Sequence, residues 1–305
     1  MTPRAPVGVG VPFGLLAGVG AYAIWGLFPI YFKAVGAVPA LTVLAHRIVW
    51  SMVLLALILT LKRNWRRVRA ALGDGALMRR LALSSLMIAL NWGIFIAAVE
   101  RSRVLDASFG YFISPLVSVA LGVVVLRERL RRLEWIAVVL AAIGIAYRVA
   151  ASGTVPWIGM TLALSFAFYG LMRKTTTVDA VEGLFIEAAL LAPLAAIYLA
   201  FVTAPFGPAT AAGPSAWLGF LLVLAGPVTA LPLILFVAAA RRIPLAMLGL
   251  LQFITPTGQF LLAVFAYRET VAGAALASFV CIWCGLALYA FDLVVRQRKR
   301  HDRGG

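Results

Sequence analysis

Three ionisable side chains lie several residues from either end of long apolar runs of the sequence, where a charge is unfavourable and therefore suggests a function. His46 and Arg47 share one run, and Glu187 lies in another. Arginine binds anionic groups, glutamate binds cationic groups or a proton, and histidine can carry protons because it titrates near neutral pH. Arg47 could instead hydrogen-bond backbone carbonyls at a kink. We favour a binding role for Arg47 and Glu187. Both interpretations stay open for His46, which is also the candidate for proton coupling.

Two other apolar runs carry stripes of uncharged polar residues at matching positions. The spacing in each stripe is i, i+3, i+7, which places its members on one helix face. The stripes are Tyr111, Ser114 and Ser118 in one run and Gln252, Thr255 and Gln259 in the other. A proline within each stripe, Pro115 or Pro256, bends the helix. We expect the stripes to line one central cavity. In the alternative interpretation, the serine and threonine hydroxyls bond back to their own helix and only allow close packing.

Trp25, Asn91 and Tyr169 are weaker candidates for the same binding surface. An apolar or aromatic ligand could lie against the rings, although such residues also serve in ordinary packing. Three cations fall at the ends of apolar runs: Lys33, Arg173 and Lys174. We expect their charges to reach the lipid headgroups, as long basic side chains at span ends usually do.

The sequence carries no signal for catalysis or for a metal or cofactor. It has only two histidines, its 11 acidic residues are not clustered, and no glycine-rich phosphate loop follows a strand. Cys281 and Cys284 lie in one apolar run without a histidine or carboxylate nearby, so they are interpreted as small buried hydrophobes. We therefore expect no enzymatic activity, no cofactor and no metal.

The elements that hold these residues are membrane-spanning helices. Of the 305 residues, 63% are apolar and 12% charged, against about 45–50% and about 25% in soluble domains. This excludes a water-soluble enzyme and a disordered protein. A membrane span needs about 20 apolar residues. Because lipid offers the backbone no hydrogen-bond partners, these spans must be helices. Ten such runs follow one another: 11–32, 38–61, 80–99, 104–126, 133–150, 155–172, 181–203, 216–240, 245–267 and 273–295.

The basic residues alternate between the loops. If the N-terminus is cytoplasmic, 21 of the 27 lysines and arginines lie on the inner side and five on the outer side. This asymmetry predicts a multi-pass protein of the inner (plasma) membrane with both termini cytoplasmic. The same asymmetry explains the net charge of +16, because the basic residues orient the chain in the lipid bilayer. We therefore expect no nucleic-acid partner.

The two halves of the chain align without gaps at an offset of 141 residues. The offset pairs Pro115 with Pro256, Lys33 with Lys174, Arg127–Glu128 with Arg268–Glu269, and His46 with Glu187. Residues 1–150 and 151–305 each hold five spans, an odd number, so the second copy enters the membrane inverted. We therefore predict an all-α integral membrane protein whose ten transmembrane helices form two inverted five-helix repeats. Inverted repeats are typical of secondary transporters, which bind a small-molecule solute between the halves and work by alternating access.

The motifs of both halves resemble the EamA family of the drug/metabolite transporter superfamily. The resemblance rests on Pro115, Glu128, Trp135 and Gly144, with Pro256, Glu269 and Gly285 in the second half. More narrowly, six segments resemble the RarD branch of that family: Ala21–Lys33, Ala45–Ser51, Asn91–Trp92, Ala107–Pro115, Ser165–Lys174 and Gly249–Pro256. The resemblance implies two EamA-like repeats, the second with a basic cytoplasmic tail, in a permease or exporter for a metabolite or drug-like solute. It leaves the solute and the oligomeric state open. The alternatives are a membrane-embedded lipid-modifying enzyme and a non-transporting membrane sensor.

The charge asymmetry makes the topology testable. A reporter that is active only in the cytoplasm should work when it is fused after Arg300, because that end carries part of the inner positive charge. A cysteine placed at Ala211 should react with an impermeant thiol reagent added from outside. Activity of a periplasmic reporter at Arg300 would contradict the assignment.

Overall fold

A computed structural model describes residues 10–100, 104–153, 157–201, 216–268, 273, 276–277 and 279–288. Regular structure in these residues is helical. The first half forms α1 (Gly10–Gly26), α2 (Phe28–Ala34), α3 (Ala40–Leu61), α4 (Trp65–Gly73), α5 (Gly75–Glu100), α6 (Val104–Val124) and α7 (Arg132–Ser152). The second half forms α8 (Trp157–Thr175), α9 (Ala180–Phe201), α10 (Ala216–Ala240), α11 (Leu245–Leu251), α12 (Ile254–Leu261), a π-helical turn (Leu262–Ala266) and α13 (Phe279–Leu288).

The all-helical prediction is confirmed, and a helix lies in each of the ten predicted runs. Among the described residues, six stretches are long and apolar enough to cross a membrane: Val11–Ala34, Ala40–Leu61, Gly75–Ala98, Ala180–Phe201, Ala216–Ala240 and Leu245–Ala266. Large apolar side chains such as Leu16 and Phe201 are exposed on the outside of the bundle, as helices surrounded by lipid require. Both chain ends and Glu269 lie outside the described residues.

Two of the predicted runs are interrupted, and prolines explain why. The first run divides at Leu27 into α1 and α2, with Pro29 in the first turn of α2. The run from residue 245 divides at Gln252 and Phe253, just before Pro256. Proline cannot donate to the carbonyl four residues earlier, so each helix loses a hydrogen bond at the break.

Helix α4 was not predicted, because its nine residues are too few and too basic for a span. It lies within the basic loop between the second and third runs. Val68 and Ala71 on one face are buried against Leu81 and Ile186, while Arg66 on the other face is exposed. Its pattern is amphipathic with the period of a helix, which is a signal that a search for long apolar runs overlooks.

The helices of the two halves pack against each other at glycines. On α10, a Cβ added to Gly226 would lie 2.5 Å from the carbonyl carbon of Trp50 on α3. Ser51 donates to the Gly226 carbonyl oxygen at 3.2 Å. The missing side chain therefore brings the two backbones together, as small residues do between membrane helices.

This contact predicts opposite effects for two glycines of α10. Gly226→Ala should destabilise the protein by about 1–3 kcal/mol, because the methyl group would force α3 away. Gly219 has nothing within 4 Å of an added Cβ, so Gly219→Ala is the matched control and should be neutral or slightly stabilising. Thermal unfolding in detergent measures both. Equal melting temperatures for the two variants would contradict the packing.

Candidate functional site

The buried carboxylate of Glu187 on α9 has three partners on two other helices. Its Oε1 accepts a hydrogen bond from the Ser84 hydroxyl of α5. Its Oε2 accepts one from the Tyr169 hydroxyl of α8 at 3.3 Å. Nη1 of Arg173, also on α8, lies 3.6 Å from Oε1. The carboxylate on α9 thus joins α5, α8 and α9 in the interior of the bundle.

The prediction that Arg173 reaches the lipid headgroups is wrong. Its side chain is 0% exposed and faces Glu187. Within the part of the chain that the structure describes, Nε, Nη1 and Nη2 have no hydrogen-bond partner. The guanidinium lies against Gly183, one helical turn before Glu187, where any side chain would overlap it. Gly183 and Glu187, four residues apart on one face of α9, together accommodate the Arg173 side chain. This spacing was the signal available in the sequence.

A small cavity borders this ion pair. Its volume is about 30 Å³, which is room for a water molecule or two. The wall comes from α3, α5, α8, α9 and α10, and its polar or aromatic members are Ser51, Trp92, Tyr169, Glu187 and Thr229. The remaining wall is mostly aliphatic. A drug-sized ligand needs about 300 Å³ or more, so the cavity in this structure is too small for one.

Arg47 reaches the same cavity through Thr229. Its Nε donates to the Thr229 hydroxyl at 2.8 Å, and the threonine belongs to the cavity wall. Aromatic rings surround the guanidinium: its carbon lies 5.8, 5.5 and 5.1 Å from the ring centroids of Phe28, Phe32 and Trp92. Rings at this distance stabilise a cation that has left water. The structure therefore places Arg47, from the first half of the chain, directly behind the wall of the cavity that Glu187 of the second half lines.

The two polar stripes contact each other and the first helix. Nε2 of Gln252 donates to the Ser114 hydroxyl at 2.8 Å. The Thr255 hydroxyl donates to the backbone oxygen of Tyr22 at 3.0 Å. Gln259 Nε2 lies 3.5 Å from the Trp25 carbonyl oxygen, which is the carbonyl that Pro29 leaves free. The Gln252–Ser114 bond is thus the one hydrogen bond between the stripes among the described residues, and Gln252 Oε1 is buried there without a partner. The wall of the cavity described above consists of other positions.

The remaining predicted residues have separate positions. Ser118 is buried near Gly249, and Tyr111 is partly exposed with its ring 6.4 Å from that of Phe95. Nδ2 of Asn91 donates to the Leu162 carbonyl and the Ser165 hydroxyl, at 2.8 and 2.9 Å.

The aromatic candidates and His46 divide between packing and the cavity. Trp25 packs against Phe236, with ring centroids 5.7 Å apart. Tyr169 stacks on the same ring at 6.0 Å and also bonds to Glu187. Nδ1 of His46 is buried without a partner among the described residues. Only Tyr169 of these three is part of the cavity wall described above.

At one end of the bundle, Glu128 joins the two halves; we call this the basic end, because Lys174 and Arg241 also lie there. Both carboxylate oxygens of Glu128 accept backbone N–H groups at the start of α11, from Leu245 at 2.7 Å and Ala246 at 2.8 Å. Lys174 Nζ lies 3.6 Å from the same carboxylate. These partners of Glu128 all belong to the other half of the chain.

A second polar cluster closes the basic end nearby. Asp179, in the turn between α8 and α9, forms ion pairs with Arg67 of α4 at 2.7 Å and with Arg241 after α10. Nδ2 of Asn64 donates to Glu182 at 3.1 Å. The Arg67–Asp179 and Asn64–Glu182 contacts also connect the first half of the chain to the second, so two sets of polar contacts join the halves at the basic end.

Apolar helices that surround buried charges and a small cavity define a multi-pass membrane protein with a polar interior, the organisation of solute transporters. No group of three or more histidine, cysteine or acidic residues that could hold a metal occurs in the described part of the chain.

Comparison with known proteins agrees with this class. The profile of the EamA-like transporter family matches residues 12–149. An uncharacterized transporter of Vibrio cholerae is 45% identical over 92% of this chain and 92% of its own length. The protein RarD of Salmonella typhimurium is 42% identical over 94% of this chain and 97% of its own. A chloramphenicol-sensitive protein RarD of Pseudomonas aeruginosa is 31% identical over 95% and 98%.

The chain belongs to the EamA-like transporter family. The family is one of transporters, so the expectation that the chain is not an enzyme is confirmed. A solved crystal structure shares the fold with a TM-score of 0.68 and covers 90% of this chain and 96% of its own, at 18% sequence identity. The fold therefore persists where the sequence has diverged.

The buried ion pair predicts a non-additive effect on stability. Arg173→Met or Glu187→Met alone should lower the free energy of unfolding by about 3–5 kcal/mol, because each leaves one charge buried without its partner. The double variant should lose less than either single variant does. Unfolding in detergent with increasing denaturant measures all three.

The exposed pair at the basic end provides the control. Arg67 and Asp179 are 62% and 51% exposed, so Arg67→Met should cost about 1 kcal/mol or less. Additive losses for Arg173→Met and Glu187→Met would contradict a direct interaction between the buried charges.

Proposed function

We propose that the chain is a secondary transporter of the inner (plasma) membrane that moves a small metabolite or drug-like solute by alternating access. Its ten helices cross the membrane as two inverted repeats, residues 1–150 and 151–305, with both termini cytoplasmic. The solute binds between the repeats, at the cavity bordered by Glu187 and Thr229. The single observation that carries this proposal is that charges from opposite halves meet at that cavity: Glu187 belongs to its wall, and the partly buried Arg47 donates to Thr229 of the wall.

Helix packing supports the inverted repeat. A two-fold axis between the halves requires some helices to pack against their own counterparts, and α3 packs on α9 and α6 on α11 in this way. A contact between two helices that are not counterparts should occur twice, the second time between the corresponding helices of the other half. Gly110 of α6 lies against Gly159 of α8, and the positions 141 residues away, Leu251 of α11 and Gly18 of α1, also lie in contact.

Closure of the basic end supports alternating access. Glu128 and Asp179 hold the two halves together there, and the cavity is too small for an organic solute. A transporter must open one end at a time, and the basic end is cytoplasmic in the topology proposed here. The conformation is then one in which the cytoplasmic path is closed and the binding site is contracted.

The proposal is tested by uptake into proteoliposomes. Purified protein should accumulate at least one solute from a panel of amino acids, nucleosides, sugars and amphiphilic drugs, measured with and without a proton gradient. With that solute, Arg47→Ala and Glu187→Gln should reduce uptake at least 10-fold. This change corresponds to an activation free energy of the rate-limiting step that is higher by about 1.4 kcal/mol or more. Both variants should insert and remain monodisperse in detergent.

Arg69→Gln is the matched control, because this exposed arginine of α4 lies away from the cavity. It should transport at the rate of the unchanged protein. If Arg47→Ala and Glu187→Gln also transport at that rate, the buried charges are structural and the proposed site is wrong.

A further inference from the structure

Helix α8 ends with two adjacent cations that contact different parts of the protein. Arg173 faces Glu187, which belongs to the cavity wall. Lys174 points to the basic end, where Nζ donates to the backbone oxygens of Ala240 at 3.1 Å and Ile243 at 2.5 Å. Because neighbouring residues of one helix cannot move independently, a displacement of either side chain's backbone displaces the other.

The contacts of Lys174 connect directly to the closure of the basic end. Ala240 and Ile243 flank the turn between α10 and α11, and Lys174 lies 3.6 Å from Glu128, which holds the first turn of α11. The fit around Glu128 is tight, since a Cβ on Gly122 would lie 2.5 Å from its Oε2 and 2.8 Å from the Ala246 nitrogen. A small shift of Lys174 is therefore enough to disturb the contact.

We propose that Arg173 and Lys174 are positioning residues that couple the charge at Glu187 to the opening of the basic end. The inference rests on the proposed function and deepens it by naming what the cavity responds to. That signal is a positive group at the Glu187 carboxylate, either an ammonium group of the solute or a proton.

The physical reason is the isolation of the Arg173 guanidinium. Glu187 is its charged partner, and its three nitrogens have no hydrogen-bond partner in the described part of the chain. When a positive group neutralises Glu187, the buried guanidinium loses that partner, and an uncompensated buried charge is strongly unfavourable. Water at the basic end is the place where the guanidinium can regain hydrogen bonds. Movement of the end of α8 in that direction pulls Lys174 away from the backbone oxygens of Ala240 and Ile243 and from Glu128. The loss of these contacts frees α11.

The coupling is tested by a distance measurement that needs no transported solute. Spin labels are attached at Arg129→Cys, in the connection between α6 and α7, and at Arg242→Cys, in the turn before α11, after Cys281 and Cys284 have been replaced by alanine. Both labelled positions are exposed. Double electron–electron resonance in lipid nanodiscs then reports the separation of the two halves at the basic end.

Glu187→Gln mimics the neutralised carboxylate and should make a longer-distance population the major one. Arg173→Gln combined with Glu187→Gln should return the distribution to that of the unchanged protein, because no buried charge is left uncompensated. Arg173→Lys combined with Glu187→Gln retains a buried cation and should keep the longer distance. Arg66→Gln, an exposed charge of α4, is the control and should change nothing.

Lys174→Met provides a second test that leaves the buried pair intact. It should give the longer distance even with Glu187 unchanged, and adding Glu187→Gln should shift the distribution no further. The coupling is overturned if Glu187→Gln leaves the distances unchanged, or if its effect survives undiminished with Arg173→Gln. A chain that transports without the shift overturns the coupling alone, and a chain that shows the shift but moves no solute overturns the proposed function alone.

Discussion

The contact between Arg173 and Glu187 is the constraint on which the interior of this protein depends. Two opposite charges in a bundle surrounded by lipid are tolerable only while they face each other. To keep them together, α9 carries a glycine at position 183, α5 supplies the Ser84 hydroxyl, and α8 places Tyr169 on the other carboxylate oxygen. Three helices are thereby fixed in rotation by one carboxylate. Apolar packing alone specifies such rotations poorly in lipid, because the lipid tails are as apolar as the side chains.

Close helix packing then determines where a cavity can exist. At Gly226 the backbones of α3 and α10 approach closely, and Thr229, almost one turn further along α10, bonds to Arg47. The tight crossing and the polar contact therefore lie on the same part of α10. The cavity begins beside them, at Ser51 and Thr229, so its volume depends on how α3 and α10 cross.

The polar contacts at the basic end have a different character from those in the interior. Arg67 and Asp179 are largely exposed, so water competes with their ion pair and the contact is easily broken. Glu128 binds backbone N–H groups directly, and a charged acceptor makes those bonds stronger than neutral ones. The contacts at this end thus combine weak surface pairs with one firm contact.

The sequence by itself determined the apolar helical runs and the class of protein, because each span is defined by its own apolar residues and by the absence of water in lipid; it did not determine α4 or the breaks at Leu27 and Gln252. It also identified Arg47 and Glu187 as charges in unfavourable surroundings, and the family through motifs in both halves. The partner of each buried charge was decided only by the tertiary structure: Arg173 was assigned to the headgroups, and Thr229 and Ser84 were not singled out. Whether a cation at the end of a helix faces water or a carboxylate depends on how neighbouring helices rotate and cross, and no local stretch of sequence contains that information.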